Sequence, residues 1–198
     1  MDIENLHFSW IFSPGDYYIM AYDVKMYSEI NGQNIIGVLN VHDKIEILEN
    51  MYNEERFDEI TSCWYKIKYN DIIGYIWGGN IAKETFIFDI DNNGVIDYFQ
   101  YRISSVFSNF NISANRDILI FLNGENISSN LYSNIENGNY NQCFFSIDNG
   151  IAIIELFETS LINTVNNIFK MDVYGNILLK EIIMSGRFWK NGQWVIYE

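Results

Sequence analysis

The chain has 198 residues, with 12 Lys and Arg against 26 Asp and Glu, a formal net charge of −14 at pH 7. That length allows one domain or two small ones. That charge excludes the clustered cations a nucleic-acid binder or a polybasic membrane-surface protein needs. Two His and two Cys leave little room for a Cys-His or Ser-His hydrolase, or for a zinc site of three or four ligands. No run of about 18 apolar residues occurs, so no membrane-spanning helix is expected.

Residues 1–20 start acidic, and their apolar run is broken by His7 and Ser9. They do not read as a secretory signal, which needs a basic start and an unbroken apolar stretch. From there the chain reads as strands. Lys44-Ile45-Glu46-Ile47 and Lys66-Ile67-Lys68-Tyr69 alternate polar and apolar residues, the period of a half-buried strand. Asn-Gly occurs at Asn31-Gly32, Asn93-Gly94, Asn123-Gly124, Asn137-Gly138, Asn149-Gly150 and Asn191-Gly192. Both residues tolerate the positive φ of a type I′ hairpin turn. The best helical stretches, Glu54–Thr61 and Thr159–Phe169, are weak. The expected fold class is all-β and mostly antiparallel.

A composition break at Gly78-Gly79-Asn80 and Ala82-Lys83-Glu84-Thr85 divides the chain near residue 84. The expected organisation is an N-terminal segment 1–16, a first domain 17–83 and a second β-rich domain 84–198.

The first domain carries a recognisable order. Tyr22–Ser28 is followed by Ile35-Ile36-Gly37-Val38-Leu39 and by Asp43-Lys44-Ile45-Glu46-Ile47-Leu48. After a long loop come Trp64-Tyr65-Lys66-Ile67 and Gly74-Tyr75-Ile76-Trp77. Residues 17–82 thereby resemble the bacterial SH3-like domain, a small barrel. Ile45, Ile47, Ile67 and Ile76 alternate toward its core, and Gly37 and Gly74 suit tight strand bends. His42 stands where that family usually has a glycine before Asp43. Beside Asp43, with no nucleophile nearby in sequence, it reads as a turn residue rather than a general base.

The resemblance implies a binding module for a cell-wall fragment or a peptide. Tyr22, Tyr27, Trp64, Tyr75 and Trp77 would line its groove, unless they simply fill and cover the barrel. It implies a non-catalytic protein of the cell envelope. An intracellular interaction module is the alternative, and a wall hydrolase a more distant one.

In the second domain, Asp89, Asp91, Asn93 and Asp97 fall at positions 1, 3, 5 and 9 of a Ca²⁺ loop, with Gly94 at position 6 and the Val95 carbonyl at 7. Position 12 is Gln100 rather than Glu, and the flanks read as strands, so this is no EF-hand. It resembles the Asp-rich turns of FG-GAP-like repeats, some of which hold Ca²⁺. Weak Ca²⁺ binding is one expectation; an Asx-rich turn closed by its own hydrogen bonds is the other. Phe145-Ser146-Ile147-Asp148-Asn149-Gly150 echoes the motif without the acidic set. Glu155 with Glu158, and Asp89 with Asp91, are the carboxylate pairs to check for glycoside hydrolysis, although chance pairs are expected among 26 acidic residues. Cys63 and Cys143 could form one disulfide; two buried thiols are the plainer expectation.

Overall fold

The computed structural model describes residues 7–8, 11–30, 32–57, 60–108, 111–128, 142–159, 163–190 and 193–197. In chain order the strands are β1 (His7–Phe8), β2 (Gly15–Tyr18), β3 (Val24–Tyr27), β4 (Ile35–Leu39), β5 (Lys44–Phe57), β6 (Ile60–Tyr69), β7 (Ile72–Trp77), β8 (Glu84–Phe88), β9 (Asp97–Ser108), β10 (Asn111–Leu122), β11 (Glu125–Asn126), β12 (Gln142–Asp148), β13 (Ile151–Thr159), β14 (Asn163–Met171), β15 (Ile177–Lys190) and β16 (Gln193–Tyr197). A 3₁₀ turn, Gly78–Asn80, follows β7. The all-β, antiparallel expectation holds. The two weak helical stretches are strand instead: Glu54–Phe57 ends β5, and Asn163–Phe169 lies in β14. Neither carries the sustained period of 3.6 that would bury one helical face.

The chain forms two compact units. The first takes Met1–Thr85 together with a returning segment, Gln100–Leu119. The second takes Phe86–Phe99 and Ile120–Glu198. Where the sequence suggests one division near residue 84, the second unit begins at Phe86, and the chain comes back to the first unit once before leaving it.

The first unit is built on a six-stranded sheet of order β2-β5-β6-β7-β3-β4. The alternation that marks β5 is the alternation of its burial: Lys44 and Glu46 are exposed while Ile45 and Ile47 are buried. Ile67 and Ile76 are buried with them, and Met26, Leu39 and Ile81 complete the same core. Fully burying one such side chain contributes about 1.5–3 kcal/mol. Tyr65 crosses this core, and its hydroxyl accepts the backbone N–H of Phe12 at 3.1 Å. Burial pushes that hydroxyl's pKa up to about 12, against the opposing pull of the Phe12 bond. Gly74 is paired with Ile67 across β6 and β7. A Cβ there would lie 2.7 Å from Met26 Cγ and 2.8 Å from the Tyr27 carbonyl oxygen. Only glycine lets these strands close so tightly.

Turn chemistry explains the hairpins. Asn123-Gly124 and Asn149-Gly150 both have positive φ, and each is the two-residue loop of a hairpin, closed by Leu122 with Glu125 and by Asp148 with Ile151. This is the type I′ geometry their sequence suggests. A third hairpin of this kind joins Tyr69 to Ile72 through Asn70 and Asp71, at φ 47° and 64°. It carries no glycine, so the Asn-Gly signal misses it. Asn93-Gly94 behaves differently: Asn92 and Gly94 take the positive φ values. Asn31, Asn137-Gly138 and Asn191-Gly192 lie outside the described residues.

The second unit contains a meander in which β12 to β16 lie side by side in sequence order. One face carries Cys143, Ala152, Ile154, Leu156, Phe169 and Met171, all buried. Phe145 stacks on Phe99 at 4.6 Å between ring centres and meets Phe86 and Phe88 at 5.4 and 4.9 Å. Cys63 and Cys143 are both buried thiols.

Candidate binding groove

Trp64 and Trp77 are direct cross-strand partners on β6 and β7. The period of two puts them on the face opposite Tyr65 and Ile76, away from the core those residues join. Yet both are buried, at 5% and 9% exposure. The cover comes from the far half of the β5–β6 hairpin. Opposite Trp64 the ladder breaks: Asn50 pairs with Tyr65 and Glu54 with Cys63, so Met51, Tyr52 and Asn53 face a single residue. Such an insertion bends the strand and strengthens its twist. Tyr52 takes φ 52° within it, and its N–H is held by Asn50 Oδ1 at 2.8 Å.

Beyond the bulge the hairpin lies against the two indoles. Trp64 Nε1 donates to the Glu55 carboxylate at 2.6 Å. Trp77 Nε1 donates to the Glu55 carbonyl at 3.0 Å and the Ser62 carbonyl at 3.2 Å. The Phe57 ring meets Trp77 edge-on at 4.9 Å, and the Tyr27 ring meets Trp64 at 5.7 Å.

These contacts frame a cavity of about 340 Å³. Its lining takes Phe57 from the hairpin arm, Trp64 and Trp77 from β6 and β7, and Tyr27 from β3. Tyr22, Asp23, Val24, Lys25 and Asn80 complete the lining. Four of the five aromatics expected to line a groove, Tyr22, Tyr27, Trp64 and Trp77, therefore share one cavity. Tyr75 is not among its lining residues; it is half-buried and pairs with Tyr27 across β3 and β7. Tyr22 is the most exposed of the five, at 59%. The alternative reading, that the aromatics merely cover the barrel, fits the indoles best, whose N–H groups are both committed.

Sequence reasoning misses Phe57, Glu55, Asp23, Lys25 and Asn80. Glu55 and Phe57 fall in a stretch whose pattern suggests a helix. Their roles follow from a bulge that nothing in the local sequence announces.

His42 is in the left-handed region, at φ 70°. That is the conformation a glycine would favour. Its N–H donates to the Ile19 carbonyl at 2.8 Å. Asp43 closes the same turn by accepting from the Asn40 N–H at 2.7 Å and the Tyr69 hydroxyl at 2.9 Å. The turn is thus held by the His42 backbone and the Asp43 carboxylate together. Burial lowers the His42 pKa, while the neighbouring Gln100 side chain and the Asp43 charge partly offset that.

The Asp-rich turn joins β8 to β9. Asp89 accepts from the N–H groups of Asn93 and Gly94 at 3.1 and 2.8 Å. Asp91 accepts from the N–H and side-chain amide of Asn93 at 3.3 and 3.0 Å. Asn93 Oδ1 accepts from the Val95 N–H at 2.7 Å, and its amide also reaches Asn123 Oδ1. Asp97, fully buried, accepts from the Ile90 and Asn123 N–H groups. Among the described residues no three His, Cys, Asp or Glu side chains are arranged to hold a metal. A Ca²⁺ ion needs six to eight oxygens; here the hydrogen bonds accepted by Asp89, Asp91, Asn93 and Asp97 close an Asx-rich turn by themselves.

Of the carboxylate pairs, Glu155 accepts from the Asn166 amide at 2.9 Å within the meander. The Glu158 side chain lies outside the described residues. Asp89 and Asp91 are engaged in the turn just described.

No family model matches this chain, and neither a curated protein nor a solved structure matches it.

Proposed function

We propose that this is a non-catalytic binding protein of the cell envelope, whose groove between residues 22–27 and the β5–β6 arm takes a cell-wall fragment or a peptide. The observation that supports the reading is the gathering of Tyr22, Tyr27, Trp64 and Trp77, far apart in sequence, around one open cavity. Aromatic walls with a few polar groups at the rim are the usual make-up of a recognition site. Asp23, Lys25 and Asn80 supply that polar rim. Among the described residues no Ser, Cys or His lines the cavity, which favours binding over nucleophilic chemistry. The Asp89–Asp97 turn is read as structural.

The test is co-sedimentation of the whole chain with purified peptidoglycan. Wild type should pellet with the wall, and Tyr22→Ala should stay in solution with an unchanged Tm. If wild type stays in solution, the wall reading fails, and a protein partner within the cell becomes the better one.

A further inference from the structure

We propose that Glu55 is the positioning residue of this groove: it clamps the β5–β6 arm onto Trp64 and Trp77 and so sets the spacing of the aromatic walls. The inference rests on the binding reading above. Its basis is the sharing of one residue by two rings. The Glu55 carboxylate takes the Trp64 indole N–H at 2.6 Å, and its main-chain carbonyl takes the Trp77 indole N–H at 3.0 Å. A charged acceptor makes the Trp64 bond short and strong.

The arm needs such a clamp. Its ladder to β6 is interrupted between Asn50 and Glu54, with three residues against one. Across that break the angle of the arm is not dictated by continuous strand pairing. Beyond it, only the short pairing from Glu54–Cys63 to Phe57–Ile60 runs. This distal piece carries Phe57, which is 44% exposed and lines the cavity. The position of Phe57 relative to Tyr22 and Tyr27 therefore follows from where Glu55 meets the indoles.

The clamp also decides what the groove offers. With both indole N–H groups committed, a ligand meets the tryptophans by ring face and edge rather than by hydrogen bond. Directional bonds are left to Tyr22, Tyr27, Asp23, Lys25 and Asn80.

Two variants of the whole chain test this. Glu55→Gln keeps an oxygen acceptor, and Glu55→Ala keeps only the backbone carbonyl. The readouts are the indole N–H resonances, the ring contacts between Phe57 and Trp77, and affinity for purified peptidoglycan. In Glu55→Ala the Trp64 indole proton should exchange faster with water, the Phe57–Trp77 contacts should weaken, and affinity should fall about tenfold. Glu55→Gln should restore most of all three. If Glu55→Ala leaves the Trp64 proton protected and the Phe57–Trp77 contacts intact, the proposal is overturned. So too if Glu55→Gln loses as much as Glu55→Ala. Failure of wild type to bind peptidoglycan would sink the binding reading alone, because the two spectroscopic readouts need no ligand.

Discussion

Asp97 accepts the backbone N–H of Asn123 at 2.8 Å through one carboxylate oxygen, while the other accepts the N–H of Ile90, also at 2.8 Å. One fully buried side chain thereby ties the Asp-rich turn to the β10–β11 hairpin. Asn at this position has a single acceptor oxygen, so one buried N–H would lose its partner. Asp97→Asn should cost about 1–3 kcal/mol. Urea unfolding followed by circular dichroism measures it; a loss under half a kcal/mol would mean the turn closes without this bond.

The Asp-rich turn also makes a prediction about calcium. A ligand that binds the native state alone raises its stability. If the turn is structural, closed by the N–H bonds to Asp89, Asp91 and Asp97, millimolar Ca²⁺ should leave the Tm of the whole chain where EDTA leaves it. A rise of several degrees, lost in Asp89→Asn, would show instead that the turn opens to take the ion.

His42 links acidity to stability. Its folded pKa is lowered, chiefly by burial, below the ordinary value of 6.5. The folded state thus binds fewer protons than the unfolded one around that pH. Its contribution is fully present above pH 6.5 and is lost as pH falls through 6.5 toward the folded pKa. His42→Gly removes that dependence and suits φ 70°. Chemical-denaturant midpoints taken between pH 5 and 8 should fall toward acid more steeply in wild type than in His42→Gly. Parallel curves would refute the assignment.

Groove residues should separate by burial. Trp64→Ala opens a large void and should cost about 3–5 kcal/mol in stability. Phe57→Ala, at a half-exposed ring, should cost about 1 kcal/mol or less yet weaken peptidoglycan binding several-fold. Thermal melts beside pull-down isotherms check both; equal stability losses would mean the arm is part of the core.

Gly74→Ala should destabilise the first unit by about 1–3 kcal/mol, because the new methyl meets Met26 and the Tyr27 carbonyl. Gly94→Ala adds a methyl to open space and is opposed only by its φ of 85°. Comparing the two denaturation midpoints separates crowding from backbone strain.

The amino-acid order by itself determined what is local. A period of two put Ile45, Ile47, Ile67 and Ile76 on one buried face, because successive side chains in a strand point to opposite sides. Asn123-Gly124 and Asn149-Gly150 specified their turns, because those residues accept positive φ at small cost. Asn70-Asp71 makes the same turn without the glycine, so it was not legible. The tertiary structure alone decided the groove. Tyr22, Tyr27, Phe57, Trp64 and Trp77 meet only through the registers of β3, β5, β6 and β7. The bulge at Met51–Asn53 then turns the arm back over the indoles. A bulge is set by the balance of ladder bonds and packing across two strands, which no single segment encodes. For the same reason Glu55, whose neighbours suggest a helix, became the shared acceptor of two tryptophans.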